Sequence, residues 1–476
     1  MIDTFIVATY LLLTLMLGVW VAKGVTSSNE YKTGGRQYPA WIVFTTLSAS
    51  FIGGGFTLGL AEKTFLYGFV YVLAIWGFSL KEILVAYFIA PRMQPFRSAL
   101  TVGDIMEVAY GKRTKIATGF ASVLVCGGII GAQISACGNI LNIFLGIPNH
   151  LGSLVAISVV LIYSTYGGLK SVVAVDILHF IVLSIMLPLV LFFGFQEIGG
   201  LAELSRALPE SYFQPFGSIG TTALFVLFLS FFLGETLIPP YMQRLLIGKT
   251  VRETKKGTFW SGILSVPFFL VVGFIGVIAF VLAPDLPSYL ALPHVIQVVM
   301  PVGLKGLAIA AMLAIVMSSA DSFLNSTSIA MTNDLLLPLR LKPKNPNQEL
   351  MFSRAITLVI GVVAIIFALS TSSALDILLY SYQFWTPIIL VPLIAAIFGV
   401  KSTDKVFLLS AAASILAVIA WNYLFPHSLI DGALEGVIFG VLINAATFFI
   451  FHQRLGKGSA RIAPVSSEAV SSTEIV

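Results

Sequence analysis

Long apolar runs alternate with short polar connections over almost the whole chain. Thirteen such runs predict helices over about 3–22, 41–62, 67–90, 116–145, 150–166, 171–195, 221–245, 258–283, 302–333, 352–370, 374–399, 405–425 and 432–452. A bilayer crossing takes about 17–25 apolar residues, so each run is long enough to span. The predicted fold is an all-α polytopic membrane protein of about 13 transmembrane helices. Composition agrees: 58% of residues are hydrophobic and 10% charged, against about 25% charged in a soluble domain. Too little charge is present to cover a water-facing surface. That excludes a soluble enzyme, a disordered protein and a nucleic-acid-binding module. The first run has no basic leader and no small-residue cleavage site, so it reads as a retained helix.

Charge sets the predicted orientation. Of the 27 Lys and Arg residues, all but four fall in one alternating set of connections, which includes Lys23, Arg92, Lys112, Arg244, Lys255, Arg340 and Arg454. The opposite set holds Lys63, Arg206 and Lys305, and Lys81 lies inside a span. Positive charge stays on the cytoplasmic side. The N-terminus is therefore predicted outside and the C-terminus inside, in the cell membrane, and the net charge of +5 belongs to the lipid bilayer and not to nucleic acid. The Ser-rich tail, 456–476, reads as disordered. Cys126 and Cys137 stand eleven residues apart on one predicted helix, too far apart to bridge.

Two apolar runs are interrupted. Gly53, Gly54 and Gly55 fall in the middle of the second, where three glycines weaken a helix and permit an unwound turn. Gly234 and Glu235 interrupt the seventh, followed by Pro239 and Pro240, and proline removes a backbone donor. Small residues also serve close helix packing, but interrupted spans are the mark of transporters built from inverted repeats. The two breaks are five spans apart. This predicts a peripheral first helix and loop (1–40), a first five-helix repeat (41–200), a second repeat of opposite orientation (201–400) and two peripheral helices (401–455).

Polar residues at membrane depth supply candidate chemistry. In the ninth span Ser318, Ser322 and Asn325 recur at helical spacing, with Ser319 and Asp321 beside them. Carboxylate and hydroxyl oxygens suit a hard cation rather than zinc or copper. Asp176, two turns into the sixth span, is an expensive buried charge and functional by default. His179, three residues on, makes a proton relay with it conceivable. Lys81 and Glu82 are neighbours in the third span; adjacent helix positions do not face each other, so each is expected to find a partner elsewhere. Glu235, beside the second break, either holds a cationic group of a solute or caps the broken helix. Tyr380, Tyr382, Phe384 and Trp385 form an aromatic cluster in the eleventh span. No glycine-rich phosphate loop ending in Lys-Ser/Thr and no zinc-ligand spacing occurs, so the chain reads as neither an enzyme nor an ATP-driven pump.

Four stretches resemble the sodium:solute symporters, the family of the sodium–glucose, proline, pantothenate, sialic acid and choline transporters. They are LSASFIGGGFTLG, YSTYGGLKSVVAVDILHF, PYMQRLLIGKT and AIVMSSADSFLNS. The resemblance covers about residues 1–450 and implies the leucine-transporter fold. It also implies a principal Na+ site, with carbonyls at Ala49, Ile52 and Ile315 and hydroxyls at Ser318 and Ser319. Some members have a second sodium site, whose positions match Asp176, Asp321 and Ser322. The glycine triplet followed by an aromatic, and VMSSADS, are most similar to the choline-transporter branch. Phe51 falls where that branch has a cage tryptophan, but Ile238 and Leu379 are aliphatic at other cage positions. Phe56 replaces a polar sugar-binding position, which argues against a sugar.

The expected function is sodium-coupled symport of a small organic solute by alternating access. A proton-coupled symporter using Asp176 and His179 is the alternative in the same class, and a passive ion channel the alternative in another. The solute, an amine, amino acid or organic acid, is expected between the two breaks. Phe51 and Phe56 would line the site, Glu235 would be its nearest fixed charge, and Tyr382 and Trp385 would stand across it.

Overall fold

A computed structural model describes residues 1–214, 216, 219–341, 343, 345–369, 382–383, 385–427, 429 and 434–455. Helices make up its framework. α1 (Ile2–Ala22) is followed by α2 (Ala40–Phe51) and α3 (Gly55–Tyr67), then α4 (Val70–Phe96), α5 (Lys112–Leu145) and α6 (Asn149–Glu197). Next come α7 (Gly220–Gly234), α8 (Pro239–Ile247), α9 (Val251–Leu282), α10 (Leu304–Leu336) and α11 (Pro346–Leu369). The last are α12 (Thr386–Ile397), α13 (Asp404–Leu424) and α14 (Glu435–Leu455).

Among the described residues nine helices are long and apolar enough to cross a bilayer, or eleven when each of two bent pairs is one span. The expected thirteen are not confirmed, for two reasons. The fifth and sixth runs emerge as the single 49-residue α6, interrupted at Gly168 by φ 55° and ψ −143°. The eleventh run extends into residues outside those described, where Leu379, Tyr380 and Phe384 also lie, as does the 456–476 tail. A side chain at position 168 would be strained by that positive φ and would stand 2.4 Å from the Tyr31 carbonyl oxygen. Glycine is what lets the chain turn there.

The bent pairs are the two interruptions read from the sequence. α2 and α3 meet at 67°, and α7 and α8 at 54°. Backbone groups freed at a break inside a membrane protein need partners from the protein itself, and both breaks have them. The Gly54 amide donates to Gln133 Oε1 at 3.1 Å, and Thr57 Oγ1 donates to the Gly53 carbonyl at 2.8 Å. At the second break Thr386 Oγ1 donates to the Gly234 carbonyl at 2.6 Å, and Trp385 Nε1 to the Thr236 carbonyl at 3.2 Å. Pro239 and Pro240 open α8, where the first turn has no intrahelical use for an N–H.

α10 is the axis of the bundle. Its most apolar window is 94% buried, against 28% for α1. It packs on α6, α5 and α1, while α9 covers α2 and α4, and α13 pairs with α14 at the periphery. A lipid-facing helix cannot carry a polar stripe cheaply. The serines of α10 therefore face protein, directly beside the first break.

Candidate functional site

The two breaks and the middle of α10 enclose the candidate site. At the first break Ile52 has ψ 69°, so its carbonyl leaves the helical direction. Ser318 Oγ lies 3.0 Å from the Ala49 carbonyl oxygen and 3.1 Å from that of Ile315, and donates to them. Ser319 Oγ donates to the Ser50 carbonyl at 3.0 Å. Ala49, Ile52, Ile315, Ser318 and Ser319 are all buried. Ser318 thus meets the Ala49 and Ile315 carbonyls named in the sequence reading, whereas Ser319 meets the Ser50 carbonyl, which that reading did not name.

Toward the second break the walls are aromatic. The Phe78 ring centroid lies 4.8 Å from that of Phe51, 4.9 Å from Phe56 and 6.4 Å from Tyr241. Glu235 occupies the break itself. Its Oε1 accepts from the Tyr382 hydroxyl and its Oε2 from that of Tyr241. The carboxylate is buried and held by two side chains rather than by a helix end. Trp385 is buried as an anchor for the broken backbone. Lys81 and Glu82 pair with each other at 2.6 Å, which corrects the expectation of separate partners. Their flexible stems close the gap that the helix geometry leaves, and burial makes the short pair preferable to two isolated charges. Lys81 Nζ also sits 3.6 Å from the Phe78 ring centroid and 5.3 Å from that of Tyr241. The Lys81–Glu82 pair and Glu235 therefore share Tyr241 as a neighbour.

Asp176, Asp321 and Ser322 also come together. Tyr163 donates its hydroxyl to Asp321 Oδ2 at 2.5 Å, and Ser322 Oγ donates to Asp321 Oδ1 at 3.2 Å. Thr46 donates its hydroxyl to Asp176. Between them lies Arg244, fully buried, whose Nη2 reaches Asp176 Oδ2 at 3.2 Å and Ser322 Oγ at 2.6 Å. His179 hydrogen-bonds the Tyr10 hydroxyl of α1 through Nδ1, and among the described residues its Nε2 and Asp176 Oδ1 are without a hydrogen-bond partner, so the two side chains are not joined. Arg244 is thus a residue of the bundle interior, although its sequence position groups it with the loop charges.

The profile of the sodium:solute symporter family matches residues 31–413. The chain belongs to the sodium:solute symporter family. It is a sodium-coupled secondary transporter with membrane-spanning helices, and not an enzyme. Among its relatives, the sodium/glucose cotransporter of Vibrio parahaemolyticus is 25% identical, over 94% of this chain and 90% of that protein. The high affinity choline transporter 1 of Homo sapiens is also 25% identical, over 84% of this chain and 73% of that protein. In fold the symporter is similar to a Na+-coupled sialic acid symporter in a substrate-bound outward-open state. That similarity has a TM-score of 0.84 and 20% identity, covering 96% of this chain and 98% of that one.

Sequence reasoning missed Phe78, Tyr241, Tyr163, Gln133 and Arg244 in this symporter. An aromatic inside an apolar helix carries no signal of its own. Arg244 did carry one: it precedes Lys249 by five residues yet sits within the apolar α8.

Proposed function

We propose that sodium binds in this symporter at the first break, on the carbonyls of Ala49, Ile52 and Ile315 and the hydroxyls of Ser318 and Ser319, and that a small amine-bearing solute binds between the two breaks. One observation carries the ion assignment: Ser318 Oγ sits within hydrogen-bond distance of both the Ala49 and the Ile315 carbonyl oxygens. A sodium ion needs such a gathering of oxygens, and it would tie α2 to α10 when bound. Inward sodium movement supplies about 2.3 kcal/mol per 100 mV of membrane potential.

The solute reading rests on charge and shape. Lys81 and Glu82 cancel each other, and Glu235 remains as the net charge beside these aromatic side chains. A buried carboxylate favours a partner of opposite sign, and aromatic faces favour a cation. Relatives are named for glucose, choline, sialic acid and proline. An amine or amino acid fits Phe51, Phe56 and Glu235 better than a polyhydroxylated sugar does. The excess of Lys and Arg on alternate connections supports a location in the cell membrane with the N-terminus outside.

Uptake in proteoliposomes tests the ion site. Ser318→Ala with Ser319→Ala removes two oxygens and is expected to raise the sodium concentration for half-maximal uptake at least tenfold. Unchanged sodium dependence would show that the ion binds elsewhere. The solute is found by thermal-shift screening of amines, amino acids, organic acids and sugars in sodium against potassium, since a ligand of the folded state raises apparent stability.

A further inference from the structure

One face of α9 carries an ordered series of exposed side chains. Arg252, Lys256, Trp260 and Ile263 recur every three or four residues and all are exposed, so they form one stripe on the helix. Lys255 and Phe259 flank the stripe, half-buried. Another face of the same helix is occupied by protein. Glu253 Oε2 accepts from the Ala40 amide of α2 at 2.6 Å, and a Cβ on Gly257 would stand 2.7 Å from the Ala40 carbonyl oxygen. At about 1.5 Å per residue the stripe from Arg252 to Ile263 is about 16 Å long. It runs from cations through aromatics to an aliphatic side chain, which is the order a bilayer presents from headgroup to hydrocarbon.

α4 supplies a second wall. Tyr87 lies in the π-helical turn Val85–Ile89 and is 48% exposed. Its ring meets that of Phe259 edge-on, with centroids 5.6 Å apart, and Phe259 continues to Trp260 at 5.7 Å. Lys255 Nζ stands 4.5 Å from the Tyr87 ring centroid. A lysine at a membrane surface ordinarily extends its ammonium into water, whereas this one is held over an aromatic face. Among the described residues no carboxylate lies within ion-pair distance of Arg252, Lys255 or Lys256. Glu253, the acid on the same turn, is turned toward α2. Three cations thus stand together at the head of a lipid-facing aromatic groove with their charge uncompensated. A phosphodiester without a cation of its own complements them. The ammonium of a zwitterionic headgroup would meet three like charges.

We infer that the groove between α4 and α9 holds one anionic phospholipid. Its phosphate lies on Arg252, Lys255 and Lys256, its glycerol beside Tyr87, and an acyl chain along Trp260 and Ile263. The inference uses neither the sodium nor the solute assignment.

Titration of phosphatidylglycerol into the purified full-length protein in detergent, read by native mass spectrometry, tests it. Wild type is expected to retain one phosphatidylglycerol tightly and phosphatidylcholine only weakly. A basic residue near an anionic surface contributes about a factor of five. Lys255→Gln with Lys256→Gln should therefore weaken the lipid about thirtyfold. Tyr87→Ala should weaken it too, although no charge changes. Lys112→Gln with Arg113→Gln removes the same charge from the exposed start of α5 and should leave binding as in wild type. Equal retention of phosphatidylcholine by wild type overturns the inference. So does undiminished binding in the Lys255/Lys256 double variant. Equal losses in the two double variants would mean diffuse surface charge and no site. Displacement of the lipid by inorganic phosphate at constant ionic strength would make this a site for a free anion, and the lipid assignment would fall.

Discussion

Glu235 is the residue on which the solute assignment turns. Its carboxylate takes a hydroxyl from α8 and another from Tyr382, so it is positioned before any solute arrives. Glu235→Gln keeps the shape and removes the charge. Solute affinity is expected to fall at least tenfold, about 1.4 kcal/mol, while 22Na+ binding at the first break is retained. If affinity for a carboxylate solute rises instead, Lys81 is the anchor and the amine assignment is wrong. The sequence made this residue visible because a lone acid beside a broken apolar run has no cheap alternative fate. The serines of α10 were visible for the same reason. Tyr241 and Phe78 were not, because aromatics inside apolar helices look alike until packing separates those on lipid from those on the chamber. Arg244 falls inside the seventh apolar run, which was a signal, but Lys249, Arg252 and Lys255 follow it closely enough to group it with the loop charges, and the burial of α8 in the bundle separates it from them.

At the scale of elements, the glycine break and the serine stripe fit one another. A Cβ on Gly53 would stand 2.5 Å from Ser319 Oγ and 3.2 Å from Ser319 Cβ. The break is therefore both a bend in the backbone and the space that Ser319 occupies. Gly53→Ala is expected to push the Ser319 hydroxyl away and raise the sodium concentration for half-maximal uptake, with an overpacking cost of about 1–3 kcal/mol. In a Ser319→Ala background most of the collision is gone, so Gly53→Ala should have a much smaller effect on sodium dependence. Residues in contact show such coupling and independent ones do not. Equal effects in both backgrounds would mean that the glycine acts on the backbone alone. Both breaks were legible as glycine and proline inside apolar runs. The continuity of α6 was not: Gly167 and Gly168 read as a connection between two spans, and only the backbone angles show a sharp turn between helical segments. Span counts from hydropathy are weakest at such places, where a turn needs one residue and leaves no polar gap.

For the whole molecule, the distribution of charge fixes how the symporter should sit in the bilayer, and the structure provides a clean way to measure it. The set of connections rich in Lys and Arg includes the start of α5, where the Arg113 side chain is 74% exposed. The opposite set includes the segment around Arg206, whose side chain is equally exposed. Retention of positive charge on the cytoplasmic side puts Arg113 inside and Arg206 outside. Both native cysteines, Cys126 and Cys137, are buried, so they should react little with a bulky thiol reagent in the folded protein. Single substitutions can then report sidedness against a low background. Ser205→Cys is expected to label with a membrane-impermeant maleimide on intact cells. Arg113→Cys should label only after permeabilisation. The reverse pattern would invert the topology and place the negative inner potential on the wrong side of the proposed sodium site. Labelling of both positions on intact cells would break the alternation of connections on which the orientation rests. Three crossings, one by α5 and two by the segments of α6 on either side of Gly168, are expected between Arg113 and Ser205, so a span miscounted there would show in this experiment as two positions on the same side.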